Sequence, residues 1–286
     1  MTSRLIRLLI APFHLGRREE GVGNGPLRLL ELGAADSLAD AGAAVTIEPV
    51  SFDPTGHGGE LAALIGSVSA VARQLANAPD DRALPVVLAG DCLTSVGVLA
   101  GLSDQSTSLV WFDAHGDFNT PESSRSGYVD GMALAAAVGD SQQALLASVP
   151  GFRALPTDRV LLLGTRDLDP PEEERLAHSP VTHLPASKLG GAPLPDLGGG
   201  PVHLHLDLDV LHASVGRVNA FRLPPGGVSP SLLLALVEQI AERAELRSVA
   251  ITAYDASLDC GDVGRSALAV LRLLGKLAVH EPTWKQ

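Results

Sequence analysis

Residues 108–120 read SLVWFDAHGDFNT. The apolar run SLVWF stops abruptly, and Asp113, His115 and Asp117 follow at alternate positions. A run this short and this apolar is expected of a strand covered on both faces. The polar groups therefore stand where a buried strand runs out. Residues 202–209, VHLHLDLD, repeat the arrangement and end in Asp207 and Asp209. In open parallel sheets, ligands bind beyond the carboxyl ends of the strands, so these two stretches bear on fold and site together.

Further strand-like runs occupy residues 4–13, 43–50, 84–89, 159–163 and 248–253. Helix-like stretches at 26–41, 60–77, 131–147 and 230–245 lie between several of them, the last with Ser229 as N-cap and Pro230 in its first turn. The alternation predicts an α/β fold, a mostly parallel sheet with helices on both sides. Loops 114–130, 190–201 and 210–228 are rich in Gly, Pro, Ser and Asn. With no internal repeat and no linker-like segment, residues 1–286 read as a single domain.

The 286 residues carry a formal net charge of −12, which argues against nucleic acid or an anionic membrane as partner. At 45% hydrophobic the chain can bury a sizeable core, filled by Ala, Leu and Val because aromatics make up only 3%. Cys92 and Cys260 are too few for a disulfide framework, and a reducing compartment, the cytoplasm, is expected. The N-terminal apolar stretch reads as a first strand rather than a signal segment. No apolar run approaches the roughly 20 residues of a membrane span.

Acids, a thiol or an imidazole follow five of the runs: Asp91 and Cys92; Asp113, His115 and Asp117; Asp167 and Asp169; Asp207 and Asp209; Asp255. Concentrated carboxylates repel one another unless cations neutralise them. Residues i and i+2 of a strand share a face, so Asp207 and Asp209 can converge. Asp113, His115 and Asp117 can converge likewise if the chain stays extended. Either motif alone is most often an ordinary polar loop; the pair at two strand ends favours metal. So many ligands exceed the needs of one ion, and two divalent ions sharing carboxylates, a pair able to activate water, fit better. The other histidines, among them His14, His57, His178 and His203, read as surface or satisfied core residues.

Asp113 to Asn119 resembles the Asp-Ala-His-x-Asp-x-Asn signature of the arginase/agmatinase (ureohydrolase) superfamily. Residues 16–26 are similar to that family's Gly-rich N-terminal segment, Gly90-Asp91-Cys92 to its Gly-Asp-His, and Gly127 to Met132 to its Gly-Asn-x-His-Gly-Met loop. Arg166 to Asp169, Asp207 to Asp209 and residues 248–259 fall on further motifs in the family's order. The resemblance implies a three-layer α/β/α fold and a dinuclear manganese site whose bridging hydroxide attacks a guanidine or amidine carbon. By position, Asp113 and Asp207 would bridge both ions; Asp117 and Cys92 would complete one, and His115 and Asp209 the other. Asp117 would also orient the hydroxide. Asn119, Ser126, Asp169 and Glu172 match positions that grip the amino-acid end of a small-molecule substrate, whereas Tyr128 replaces an Asn there. The resemblance also implies a homo-oligomer, although no segment marks a subunit interface.

Four departures bear on chemistry. Cys92 replaces a histidine, either as a thiolate ligand or as a small buried thiol that binds nothing. A thiolate would make the cluster more negative, a poorer Lewis acid and better suited to ions softer than manganese. A branch similar to N-hydroxyarginine hydrolases shares this cysteine, and an N-hydroxylated guanidine has the more easily expelled leaving group. Asp130 replaces the loop histidine that shuttles protons; it takes over that catalytic role or is a solvated loop acid. Ala253 replaces the glutamate that holds the guanidinium; Asp255 substitutes if the strand continues. In loop 212–227, Arg217 and Arg222 are surface charges or bind a substrate carboxylate. The expectation is an amidinohydrolase acting on an arginine derivative such as N-hydroxyarginine. The alternatives are hydrolysis of an acidic formimidoyl amino acid and a non-catalytic binding protein of the same fold.

Overall fold

A computed structural model describes residues 4–55, 58–78, 82–102, 106–191, 193–221 and 223–279. The strands of its main sheet, in chain order, are β1 (Leu5–Ala11), β2 (Ala44–Pro49), β3 (Leu84–Ala89), β4 (Ser108–Phe112), β5 (Val160–Leu163), β6 (Thr182–Leu184), β7 (Pro201–Asp207) and β8 (Glu245–Thr252); Phe13–His14 and Arg17–Arg18 form a separate short antiparallel pair. The main sheet has the order β2-β1-β3-β8-β7-β4-β5-β6, and every pairing in it is parallel. The apolar runs are strands as expected. Only β6, short and polar, lacked a sequence signal. The edge strand β2 is largely exposed rather than covered on both faces.

The helices are α1 (Gly25–Glu31), α2 (Ala34–Ala39), α3 (Glu60–Ala76), α4 (Thr94–Leu102), α5 (Ala133–Ala137), α6 (Gln143–Leu146), α7 (Pro170–Ala177), α8 (Pro230–Arg243) and α9 (Asp262–Val279). Ser229 caps α8 by accepting the Leu232 N–H at 3.2 Å. Two expected helices are broken. The stretch 26–41 divides at Gly33, whose φ of 97° interrupts the helix. The stretch 131–147 divides where Gly139 and Gln142 take φ of 83° and 55°.

Strand alternation sorts the layers. Ile6, Leu8 and Ile10 of β1 share a core with Leu29, Leu38, Leu236 and Leu271, from α1, α2, α8 and α9. Leu9, between them, shares a core with Val71 of α3 and Val98 of α4. Trp111 of β4 joins Leu64 of α3 and Ala133 of α5 on that same side. Each buried aliphatic side chain contributes about 1.5–3 kcal/mol, and the helices bury both faces of the central strands. The result is the three-layer α/β/α arrangement the sequence implies.

Candidate active site

Strands β3, β8, β7, β4 and β5 are consecutive in the sheet, and each of the five leads into one of the acid-bearing segments. Register brings the segments level: Phe112 pairs with both Leu206 and Leu163, Leu206 with Ile251, and Ile251 with Leu88. The residues one step beyond that row include Asp113 and Asp207. They meet because parallel pairing aligns the carboxyl ends of neighbouring strands.

The finer geometry differs from simple strand alternation. The chain does not stay extended after Asp113; Asp117 takes a φ of 48°, in the left-handed region. Asp209 lies in a 3₁₀ turn over Leu208–Val210 rather than on the strand. Its N–H donates to Asp207 Oδ1 at 2.7 Å, which folds the two carboxylates together. Gly116 leaves room for this loop, since a Cβ there would lie 2.6 Å from Glu172 Oε1.

Asp113 and Asp209 have no exposed surface, and Asp207 has 3%. His115 Nδ1 lies 3.3 Å from Asp113 Oδ1 and 3.2 Å from Asp209 Oδ2. Trp111 Nε1 donates to Asp113 Oδ2 at 3.0 Å, and the Ala114 N–H to Asp209 Oδ1 at 3.1 Å. Cys92 Sγ donates to Asp207 Oδ2 at 3.2 Å. Asp117 Oδ2 is buried and has no hydrogen-bond partner among the described residues.

Burial, followed by mutual repulsion, pushes the Asp113, Asp117 and Asp207 carboxyls up from the ordinary range. Burial also acts to raise Asp209, but His115, Asn219 and the Ala114 N–H outweigh it and hold Asp209 low. Burial acts to lower His115, yet Asp209 and Asp113 raise it well above its usual value. One imidazole thus faces four buried carboxyl groups. That deficit of positive charge, with the unpartnered Asp117 oxygen, fits divalent cations. Asp113, His115 and Asp209 place ligand atoms within 4.8 Å of one another; Cys92, Asp113 and His205 do the same.

A cavity of about 220 Å³ opens above this floor, lined by Cys92, His115, Asp117, Asn119, Ser126, Tyr128, Asp130, Asp169, Glu172, Asp207 and Phe221, among others. Asn119, Ser126, Tyr128 and Asp169 thus share the cavity with the acids. The Tyr128 hydroxyl is buried without a partner among the described residues. Glu172 also reaches the cavity, but both its oxygens hold backbone: Oε1 accepts the Phe118 N–H at 2.8 Å and Oε2 the Asp169 N–H at 3.4 Å. Burial raises its carboxyl to about 7.

Other expected roles meet a different geometry. Asp130 is not solvated. Its Oδ2 accepts the Cys92 N–H at 2.9 Å and its Oδ1 the Leu93 N–H at 2.8 Å, just ahead of α4. Burial and then Asp91 push its carboxyl up to about 8. Asp255 is not carried to the cavity by its strand, because β8 ends at Thr252 and Ala253 takes a φ of 62°. Its carboxylate instead accepts from Asn24 Nδ2 at 3.1 Å and Ser257 Oγ at 2.6 Å. Arg217 is exposed and donates to the Asn219 carbonyl at 3.3 Å. Arg222 and His57 lie outside the described residues.

Asn219, fully buried, was not anticipated; its Nδ2 donates to Asp209 Oδ2 at 3.1 Å and to the Ala253 carbonyl at 3.3 Å. Arg166 donates to the carbonyls of Asp209, at 2.8 Å, and of Leu211, at 3.2 Å, holding the turn after β7. His205 was also missed as a neighbour of the site. Its position two residues before Asp207, on the same strand face, was the available signal.

The sequence model of the arginase family matches residues 5–279. The chain belongs to the arginase family. It is therefore a hydrolase of C–N bonds in linear amidines, of a metal-dependent family. It is 27% identical to an arginase of Entamoeba histolytica over 96% of this chain and 98% of that protein. It is 34% identical to an N(omega)-hydroxy-L-arginine amidinohydrolase of Streptomyces lavendulae, over 56% of this chain and 57% of that one. The crystal structure of an arginase from Bacillus cereus superposes with a TM-score of 0.83 at 25% identity, covering 97% of this chain and 99% of that one. Among the described residues, no helix is long and apolar enough to cross a membrane.

Proposed function

We propose that this arginase-family hydrolase acts on an N-hydroxylated guanidine carried by an amino acid, N-hydroxyarginine being the simplest. The observation that carries the reading is a missing counter-charge. Ala253 stands at the end of β8 where the resemblance leads one to expect a glutamate, and Asp255 is engaged by Asn24 and Ser257 outside the cavity. A protonated guanidinium has less to hold it there, whereas N-hydroxylation makes a guanidine less basic. Cys92 and the partial match to the Streptomyces hydrolase support the same choice.

Two divalent cations, manganese by family resemblance, would be held by Asp113, His115 and Asp209 on one side and by Cys92, Asp113, Asp117 and Asp207 on the other. Bound there, such a pair supplies Lewis acidity and a water acidic enough to attack carbon at neutral pH. The chain's own residues do the rest. Asn119, Ser126 and Asp169 orient the amino-acid end. The Asp117 oxygen accepts a hydrogen bond from the attacking water. The Tyr128 hydroxyl donates to the hydroxyguanidine. Water adds to the guanidine carbon, the bond to the side-chain nitrogen breaks, and that nitrogen, which bears no hydroxyl and so gains none of the expected leaving-group advantage, takes up a proton, giving ornithine and N-hydroxyurea. Asp130, with both oxygens on backbone N–H groups, acts as a positioning residue for Cys92 rather than as the proton shuttle.

The acidic-substrate alternative would need a cation in the cavity, and among the described lining residues there is no Lys or Arg. Comparing kcat/KM for N-hydroxyarginine and arginine tests the proposal. A preference of about tenfold or more, roughly 1.4 kcal/mol in the transition state, is expected for the hydroxylated substrate. Equal turnover of both would refute it.

A further inference from the structure

The Cys92 side of the centre has one donor that neither the motifs nor the family resemblance assigns. His205 lies on β7 in register with Trp111 of β4, and the two rings stack with centroids 3.5 Å apart and planes 14° apart. This fixes the imidazole, which has no exposed surface. Its Nδ1 sits 2.8 Å from Ser95 Oγ, while its Nε2 faces Thr252 Oγ1 across a long 3.4 Å. The same Thr252 oxygen lies 3.4 Å from Cys92 Sγ. The thiol and Nε2 therefore flank one hydroxyl at the base of the cluster. A ring nitrogen of His205, Cys92 Sγ and an Asp113 oxygen all lie within 4.8 Å of one another.

We infer that His205 is a metal ligand, and that Cys92, Asp113 and His205 form a buried sulfur–nitrogen–oxygen site for a borderline divalent ion such as cobalt or zinc. The inference rests on the reading that the buried acids hold cations. The chain lacks a histidine at position 92, and an imidazole enters instead from β7, two strands away in the sheet and two residues below Asp207. With Nδ1–H as the donor to Ser95 Oγ, the Nε2 lone pair would be free, the usual way in which a ligand histidine is oriented by its other nitrogen. A thiolate with an imidazole selects cobalt or zinc, whereas the Asp113–His115–Asp209 end, with two carboxylates, remains suited to manganese. The unpartnered Asp117 oxygen above is an independent sign that a cation belongs here.

The test is a crystal of the full chain equilibrated with cobalt, its ions located by anomalous scattering. An ion about 2.3 Å from Cys92 Sγ and about 2.1 Å from a His205 nitrogen, distances typical of zinc-like sites, would establish the ligand. An ion bound by the carboxylates with neither His205 nitrogen within bonding distance would overturn the inference and leave the hydrolase reading standing. No ion at all would overturn both. In solution, His205→Gln keeps a hydrogen-bonding side chain of similar reach. It should weaken cobalt binding at this end by more than about 100-fold, beyond the 10–100-fold that loss of a supporting contact costs, while the manganese end changes little. A cobalt affinity within about threefold of the parent's contradicts a ligand role.

Discussion

Cys92 Sγ lies 3.2 Å from Asp207 Oδ2, a buried thiol donating to a buried carboxylate. Burial, then the nearby acids Asp207, Asp130, Asp117 and Asp113, push the thiol well above its ordinary value. Without a cation it stays protonated, and on the proposed reading a bound cation would convert it to a thiolate ligand. Cys92→Ser preserves the donor and nearly the size, so stability should change by no more than about 1 kcal/mol. The preference for cadmium over manganese should fall by at least about tenfold, because a hydroxyl is a poor partner for a soft ion. Competitive titration of the metal-stripped protein measures the ratio; an unchanged ratio means that Cys92 binds nothing.

Asp130 separates positioning from proton transfer. Its two oxygens take the N–H groups of Cys92 and Leu93, and an amide in their place has one acceptor oxygen. Asp130→Asn should cost about 1–3 kcal/mol in denaturant unfolding, from one buried N–H left without its bond. The pH dependence of kcat should keep its shape. Disappearance of a limb of that profile would restore the shuttle role.

The buried Tyr128 hydroxyl has no partner among the described residues. Tyr128→Phe should therefore leave stability unchanged or slightly raised, since an unsatisfied group is removed. If the hydroxyl donates to substrate, kcat/KM for N-hydroxyarginine falls about tenfold, the worth of roughly 1.4 kcal/mol. A variant as active as its parent would exclude Tyr128 from recognition.

Stability of the metal-stripped protein should decline as pH rises. Asp113, Asp117 and Asp207 are raised in the folded chain, Asp130 to about 8 and Glu172 to about 7. The folded state then binds more protons than the unfolded chain between the ordinary carboxylate range and about pH 8. This stabilisation is complete below the unfolded values and is lost as pH climbs through the folded ones. Asp209, held low, titrates below this window; His183, His203 and His205, lowered by burial, work in the opposite sense, against the raised acids and the raised His14 and His115. Thermal melts near pH 5 and near pH 8 with a chelator should show the higher Tm at the lower pH, and divalent cation should restore the loss at pH 8 by mass action. A chelated protein more stable at the higher pH would mean that these acids are ionised and balanced without metal.

The central strands and the place of the site were legible because parallel strands buried on both faces must be short apolar runs, and 84–89, 108–112 and 202–206 are such runs. The helix α9 was not among the expected helices, although its signal was present. Val263, Ala267, Val270, Leu271, Leu274 and Ala278 recur at helical spacing and are all buried. What sequence could not give was the backbone turning where the strands end. Asp117 and Asp209 reach the cluster through a left-handed residue and a 3₁₀ turn, and Ala253 turns Asp255 away. These conformations depend on long-range bonds, such as Ala114 N–H to Asp209 and Asn219 to both Asp209 and Ala253. Asp130 followed the same pattern, since the groups it holds lie 38 and 37 positions away in the chain.

The most direct test of the whole account is the metal content of the full chain after equilibrium dialysis against manganese together with cobalt, with Asp113→Asn alongside. The parent should retain about two ions per chain, as expected of a paired-metal hydrolytic site, and the variant should lose them, since Asp113 would serve both. A parent that retains none would contradict the claim that these buried acids exist to hold cations.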